Sequence, residues 1–307
     1  MPSPWSGVSF EHMTTVFVTG GTGYLGERLL PMAADRSRVV AGARQPRAIS
    51  RLYNPVPLDL CDRMSVMDAI RKVQPDAIIH AAALNPGVDD AMMNEVNALG
   101  TEYVAQAAQQ IGARLVFVST DVVHDGQNAP YTDNAEPSPI NEYGRSKAAA
   151  ESLALNAHPN TIAVRTSLIY GLDSMDRGTI GFARRLDQGE PLNLFSDVLR
   201  QPVWRDALAT SLLRLALDFP NETGVINIAG SDLTDRATFG ELMLKFWHIP
   251  TVEGSVRHIA AAGRADLASV PLNTQLSLDR AAALSLPLPG VYKVLEQHAG
   301  KSSCRSI

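Results

Sequence analysis

The 307 residues contain only two cysteines, Cys61 and Cys304, with no CxxC pair and no histidine cluster beside either. That excludes a disulfide framework and argues against a zinc site or any other bound metal. Long hydrophobic runs are missing as well. No window approaches the roughly 18 apolar residues that a membrane-spanning helix needs, and Met1 to Met13 hold no basic stretch followed by an apolar core. No run of five like charges occurs, and the formal net charge is −5 with a sequence pI of about 5.8, so no electrostatic surface for nucleic acid or anionic lipid is expected. The expectation is a cytoplasmic small-molecule protein with a loose extension over residues 1–13. At 33.0 kDa the chain can bury about three quarters of its unfolded surface without covalent staples.

Glycine is where the sequence becomes informative. Thr19, Gly20, Gly21, Thr22, Gly23, Tyr24, Leu25 and Gly26 follow the apolar run Val16, Phe17, Val18 and precede Glu27, Arg28, Leu29, Leu30. A glycine cluster therefore sits where a strand turns into a helix, the arrangement that lets a backbone approach a dinucleotide pyrophosphate while helix N–H groups hold the anion. Gly20, Thr22, Gly23, Tyr24, Leu25 and Gly26 are the first cofactor-binding candidates.

Beyond the turn, short apolar runs alternate with longer stretches of helical period, the pattern of a parallel sheet covered on both faces. Strands are predicted at Thr15 to Val18, Arg38 to Ala43, Ala77 to Ala82, Arg114 to Ser119, Thr161 to Thr166 and Val225 to Ala229. Helices are predicted at Tyr24 to Ala34, Arg63 to Gln74, Ala91 to Ile111, Glu142 to Asn156 and Trp204 to Phe219, with Asp62 as an N-cap and Gly112 as a C-terminal stop. The fold class is thus α/β, a doubly wound parallel sheet with its ligand crevice at the strands' C-terminal ends. Past Gly171 prolines break the chain into shorter pieces. Residues 14–171 plus 202–230 are expected to form the dinucleotide-binding domain, 172–201 plus 231–298 a smaller α/β substrate domain, and 299–307 a disordered tail.

An acidic residue about 20 positions after the glycines would grip the ribose hydroxyls of NAD, whereas arginine there accommodates the 2′-phosphate of NADP. Here the second strand ends in Gly42, Ala43, Arg44, which favours NADP over NAD; a solvated loop charge is the alternative for Arg44. Asp59 and Leu60 are placed to meet the adenine, with Asp59 as a helix N-cap the competing reading. His80 closes a strand before Ala81, Ala82 and Ala83, whose small side chains let a flat cofactor lie on the backbone; His80 itself reads as a packed strand residue.

Tyr143 and Lys147 stand four apart at the start of a helical pattern and so share a face. A nearby ammonium lowers a phenol's pKa by favouring the phenolate, which makes tyrosine a usable acid or base. The strand before them ends in Ser119, Thr120, Asp121 at the same sheet edge, where a hydroxyl can orient a carbonyl and stabilise charge that develops on its oxygen.

In this order of motifs the chain resembles the extended short-chain dehydrogenases/reductases, over roughly residues 14 to 298. The carriers are the glycine turn, Asp59-Leu60, His80-Ala81-Ala82, Asn97, Thr120 and the Tyr143/Lys147 pair. Segments 119–126, 165–171, 194–197 and 200–202 are similar to the dTDP-4-dehydrorhamnose reductases within that family. The resemblance implies a Rossmann-type fold and NADPH-dependent reduction of a keto group on a nucleotide-linked sugar, with Thr120 rather than Ser119 on the carbonyl and Tyr143 as proton donor. Lys147 would hold the nicotinamide ribose, and Asn97 would support a water relay to Lys147 or simply bond backbone. Val122 and Leu168 stand where those reductases carry Tyr and Trp, and His124 where they carry Phe. Val122, Leu168, Arg200, Gln201 and Trp204, with Arg184 and Arg185, are the substrate-side candidates. Val122 also replaces the glutamate of the sugar-nucleotide dehydratases, so elimination lacks its acid. An epimerase that retains NAD(P), and a non-catalytic NADP-binding regulatory subunit, are the other readings; a homodimer is what the resemblance implies for assembly.

Overall fold

The computed structural model describes residues 13–299; the expected N-terminal extension and the tail with Cys304 lie almost wholly outside them. The predicted strands form as β1 (Thr15–Thr19), β2 (Arg38–Ala43), β4 (Ala77–His80), β5 (Arg114–Val118), β6 (Thr161–Arg165) and β11 (Gly224–Asn227), with a short β3 (Val56–Pro57) added after β2. Between β6 and β11 lie β7 (Ile169–Tyr170), β8 (Leu192–Phe195), β9 (Leu199–Arg200) and β10 (Val203–Trp204), and after them β12 (Thr234–Asp235) and β13 (Val256–Ile259). The helices are α1 (Tyr24–Ala34), α2 (Arg63–Val73), α3 (Asp90–Asn94), α4 (Gly100–Ile111), α5 (Glu142–Ala157), α6 (Arg177–Asp187), α7 (Arg205–Leu217), α8 (Arg236–Phe246), α9 (Asp279–Ala283) and α10 (Val291–Gln297).

Seven strands pair in parallel in the order β11-β6-β5-β4-β1-β2-β3. Strand growth reverses between β1 and β4, and this switch point opens the crevice at their C-terminal ends. Alternate residues of each strand enter opposite layers. Val16, Val18, Ile79 and Val116 pack under Leu29 of α1 and Leu208 and Leu212 of α7, while Phe17, Ile78 and Leu115 pack under Val66 and Ile70 of α2 and Val104 and Ala108 of α4. With both faces covered, the strands read as continuous apolar runs. The side chain of Asp62 accepts from Met64 N at 2.8 Å and caps α2, and Gly112 ends α4 at φ 72°.

The helix predicted from Ala91 to Ile111 is interrupted. Between α3 and α4 the chain widens into a π-helical turn at Glu95–Leu99. That turn aims the Asn97 amide back at the loop after β4, where it accepts from Leu84 N at 2.7 Å and donates to Leu84 O at 3.0 Å and Ser146 Oγ at 3.1 Å. Local propensity asks for a continuous helix, and these tertiary bonds override it. Chain segments 172–201 and 231–298 hold α6, α8 and the small ladders β8–β13 and β9–β12, packed through Leu192, Leu194, Ala237 and Leu244. Among the described residues no helix is long and apolar enough to cross a membrane.

Candidate active site

A cavity of about 800 Å³ runs along the switch point, within the range of small-molecule and cofactor sites. Its first wall is the glycine turn, represented by Gly20, Gly23, Tyr24, Leu25 and Gly26, with Ala81 and Ala83 opposite. Gly20 has φ +74°, and a Cβ there would lie 2.8 Å from Ala82 N. Only glycine brings this turn so close to the end of β4. Thr22 is exposed and stands outside the lining.

The turn is held by a buried chain of hydrogen bonds. Ala82 N donates to Thr19 Oγ1 at 3.2 Å, Thr19 Oγ1 lies 2.7 Å from His80 Nδ1, His80 Nε2 lies 3.0 Å from Thr101 Oγ1, and Thr101 Oγ1 donates to Asn97 O at 2.6 Å. Because Thr101 spends its proton on a carbonyl, His80 must donate from Nε2 and accept at Nδ1, the neutral tautomer. Complete burial pushes its pKa down to about 3, with the charge of Lys147 adding to the effect. His80 is thus the packed residue expected, and it ties the first wall to the loop carrying Asn97. Both ends of the Asn97 amide are engaged, with the Leu84 backbone and with Ser146 Oγ.

The second wall is built by β5 and α5. Gly144 allows α5 to press on the turn after Thr120, since a Cβ there would run into the Val122 carbonyl oxygen. Asn141 caps α5 by accepting from Gly144 N at 2.8 Å and donates to Ser269 O at 3.2 Å. Thr120, Tyr143 and Lys147 all face the cavity. Thr120 Oγ1 donates weakly to Asp121 Oδ1 at 3.3 Å, whereas Ser119 Oγ is committed to Glu151 Oε1 at 2.5 Å. Ser119 is spent, and Thr120 is the hydroxyl available to a ligand.

Lys147 is 2% exposed, donates to Val118 O at 2.7 Å and sits 4.1 Å from the Phe117 ring centroid. Burial pushes its pKa down to about 7, against the charge of Glu151 one turn on. Tyr143 departs from expectation in one respect. Its pKa is pushed up to about 12 by burial and then by the Asp121 carboxylate. The phenol is fully protonated at neutral pH, which suits an acid that must hold a proton until it is used. Glu151 in turn is clasped by Arg165 at 2.8 Å in a pair whose side chains are each 3% exposed, so β5, α5 and β6 are locked together behind the site.

Several sequence candidates lie elsewhere. Arg44 is exposed at the end of β2 and Asp59 accepts from Cys61 N at 3.0 Å; neither lines the cavity. Asp59 is not the N-cap, since Asp62 has that role, and Leu60 is buried in the core with Val66 and Ile70. Gln201 accepts from Leu276 N at 2.7 Å, Trp204 packs near Tyr170 and against His298, and neither lines the cavity. Arg184 and Arg185 are exposed on α6 and outside the lining, and Asp206, the first-turn carboxylate of α7, is paired bidentately with Arg28 at 2.8 and 2.6 Å. Val122, Leu168 and Arg200 do line the cavity.

The reading of the sequence missed Arg236, Asp121 and the loop Ser269–Pro271, all of which form the far end of the cavity. One signal was present for Arg236. It is the first residue of α8 after the capping Asp235, and a cation beside the positive end of a helix dipole is unfavourable unless something else uses it. Among the described residues no group of His, Cys, Asp or Glu is placed to hold a metal ion.

Comparison with known proteins gives a consistent picture. Residues 13–297 match the family described as RmlD substrate binding domain. The dTDP-4-dehydrorhamnose reductase of Sinorhizobium fredii is 29% identical over 256 residues, 78% of this chain and 84% of that protein. Methionine adenosyltransferase 2 subunit beta of Xenopus laevis is 27% identical over 244 residues, 76% of this chain and 72% of that protein. A crystal structure of dTDP-4-dehydrorhamnose reductase from Bacillus anthracis in complex with NADP shares the fold, with a TM-score of 0.77 and 22% identity over 94% of this chain and 98% of that one.

Proposed function

The chain belongs to the RmlD substrate-binding-domain family, and on that premise we propose that it is an NADPH-dependent ketoreductase acting on a nucleotide-linked sugar. The observation that carries the reading is the convergence of Thr120, Tyr143 and Lys147 on the same cavity as the glycine turn. The turn fits a dinucleotide, because Gly20 and Gly26 let the end of β4, the turn and the start of α1 pack at separations a Cβ would forbid, and that compact turn lines the cavity with Gly20, Gly23 and Gly26. Gly20 to Gly26 would hold the pyrophosphate, Arg44 the 2′-phosphate and Lys147 the ribose, while the bound cofactor supplies a hydride.

The chain's own residues then complete the reduction of C=O to CH–OH. Thr120 and Tyr143 donate hydrogen bonds to the carbonyl oxygen, stabilising the negative charge that grows there as the carbon accepts the hydride. Tyr143 transfers its phenolic proton to that oxygen, and the buried Lys147 cation stabilises the phenolate left behind until solvent restores the proton. Val122 and Leu168 give the substrate side an aliphatic wall, and we assign the sugar's apolar edge to it.

Segments 172–201 and 231–298 are read as the substrate unit on the proline-broken pattern past Gly171, the protein as cytoplasmic on its composition, and a homodimer on the family resemblance. The match to an adenosyltransferase subunit keeps a regulatory role as the competing reading. The test is consumption of NADPH at 340 nm by purified protein with dTDP-4-dehydrorhamnose and other nucleotide-linked 4-keto sugars. Turnover with formation of the alcohol is expected. Tight NADPH binding with silence across that panel supports the regulatory reading, and sugar inversion without net NADPH loss supports epimerisation.

A further inference from the structure

Two arginines are drawn into the wall at the far end of the cavity, and they are employed differently. The antiparallel β9–β12 ladder sets Thr234 opposite Arg200 and Asp235 opposite Leu199, and Arg236 N donates to Val198 O at 3.0 Å, so Arg200 and Arg236 stand at one place. Arg200 is 4% exposed and all its nitrogens are engaged. Its Nη1 donates to Leu199 O at 2.7 Å and Leu272 O at 3.3 Å, its Nη2 to Pro271 O at 2.9 Å, and its Nε lies 3.7 Å from Asp121 Oδ2. It is a strut fastening the 269–272 loop to the turn that carries Thr120.

Arg236 has no such duty. It is half-buried, lines the cavity and lies 5.7 Å from the Phe195 ring centroid, and among the described residues its guanidinium makes no hydrogen bond and no ion pair. Neither nearby carboxylate is free for it. Asp121 already accepts from Ser167 and Thr274 and faces Arg200, and Asp235 is used up on Thr238 N and Oγ1. Two guanidinium groups thus share one saturated carboxylate. The end of the cavity carries an uncompensated positive charge, and guanidinium cannot shed it by losing a proton.

We propose that Arg236 is the anion-binding residue of the substrate site, and that its ligand is the diphosphate joining the sugar to its nucleoside. The proposal rests on the ketoreductase reading above. Thr120, which would orient the reacting carbonyl, is bonded to Asp121, which faces Arg200, so the carbonyl position and Arg236 belong to the lining of one cavity. A nucleotide-linked keto sugar presents both a carbonyl and a diphosphate to it, whereas a free sugar or a neutral ketone leaves Arg236 without a partner. Planar, fork-shaped donors such as guanidinium favour phosphate oxygens.

The test uses the full chain saturated with NADP+. Binding of dTDP, UDP, inorganic pyrophosphate and thymidine is measured by calorimetry in wild type, Arg236→Gln and Arg236→Lys, with NADPH affinity as the control for folding. Expected are binding of at least one nucleoside diphosphate by wild type, weakening of at least tenfold in Arg236→Gln, a smaller loss in Arg236→Lys, and unchanged NADPH affinity in both. Thymidine should be indifferent to either change. Nucleoside diphosphate affinity within twofold of wild type in Arg236→Gln overturns the role of Arg236 and leaves the ketoreductase reading standing. A wild type that binds none of the three diphosphates overturns the proposal, and if it also turns over no nucleotide-linked ketone the reading beneath falls with it.

Discussion

Replacing His80 by glutamine separates the architecture of the site from its chemistry. His80 is wholly buried and held neutral between Thr19 and Thr101, with its pKa pushed from 6.5 to about 3. The unfolded chain therefore takes up a proton below pH 6.5 that the folded chain refuses until about pH 3. Stability from this group is fully present above 6.5 and lost as pH falls, by up to ~1.4 kcal/mol per unit. At pH 5 the loss amounts to ~2 kcal/mol. Glutamine at this position keeps one of the two side-chain bonds and does not titrate, so at pH 8 it should cost about 1–3 kcal/mol for the hydroxyl left unpaired. Between pH 8 and pH 5 that deficit should shrink by ~2 kcal/mol, because wild type alone loses the His80 contribution. Urea unfolding followed by tryptophan fluorescence at both pH values gives the four stabilities needed, and other titrating groups cancel in the difference. His124 and His158 are also shifted down by burial and add to the acid sensitivity of both proteins alike. Parallel stability curves for the two proteins would refute a neutral His80 under the glycine turn.

Gly20→Ala places a Cβ 2.8 Å from Ala82 N at a positive φ, which costs about 1–2 kcal/mol in backbone conformation alone; NADPH binding by fluorescence titration should weaken at least tenfold. Lys147, with its pKa near 7, loses its charge as pH rises, so NADPH affinity in wild type should fall from pH 6 to 9, and Lys147→Met should bind more weakly with that dependence gone. Arg44→Ala should reduce the preference for NADPH over NADH about tenfold or more, the worth of a charge-assisted phosphate contact, read from kcat/KM with each cofactor; an unchanged ratio would return Arg44 to the solvated loop charge.

Where side-chain period and local capping decide the structure, the sequence was sufficient to read it. Helix α1 and strand β2 have the predicted bounds, and Asp62 and Gly112 end their helices as their chemistry requires. The glycine turn and the Tyr143/Lys147 face were legible for the same reason. What escaped depends on contacts between distant parts of the chain. Two-residue strands such as β9 and β12 are too short to show a period, and it is their ladder that brings Arg200 and Arg236 together. Gln201 and Trp204 sit one and four residues past Arg200, close enough in sequence to share its surroundings, but the chain carries them to Leu276 and His298 instead. The π-helical turn at Asn97 is likewise dictated by Leu84 and Ser146, not by local propensity.

The central claim is that Tyr143 delivers the proton in a hydride-transfer site. Single-turnover oxidation of bound NADPH by a nucleotide-linked 4-keto sugar, in wild type and in Tyr143→Phe, tests it most directly. The account predicts a rate about 10²–10⁴-fold lower in the variant with NADPH affinity unchanged. A Tyr143→Phe protein that retains most of the wild-type rate contradicts it.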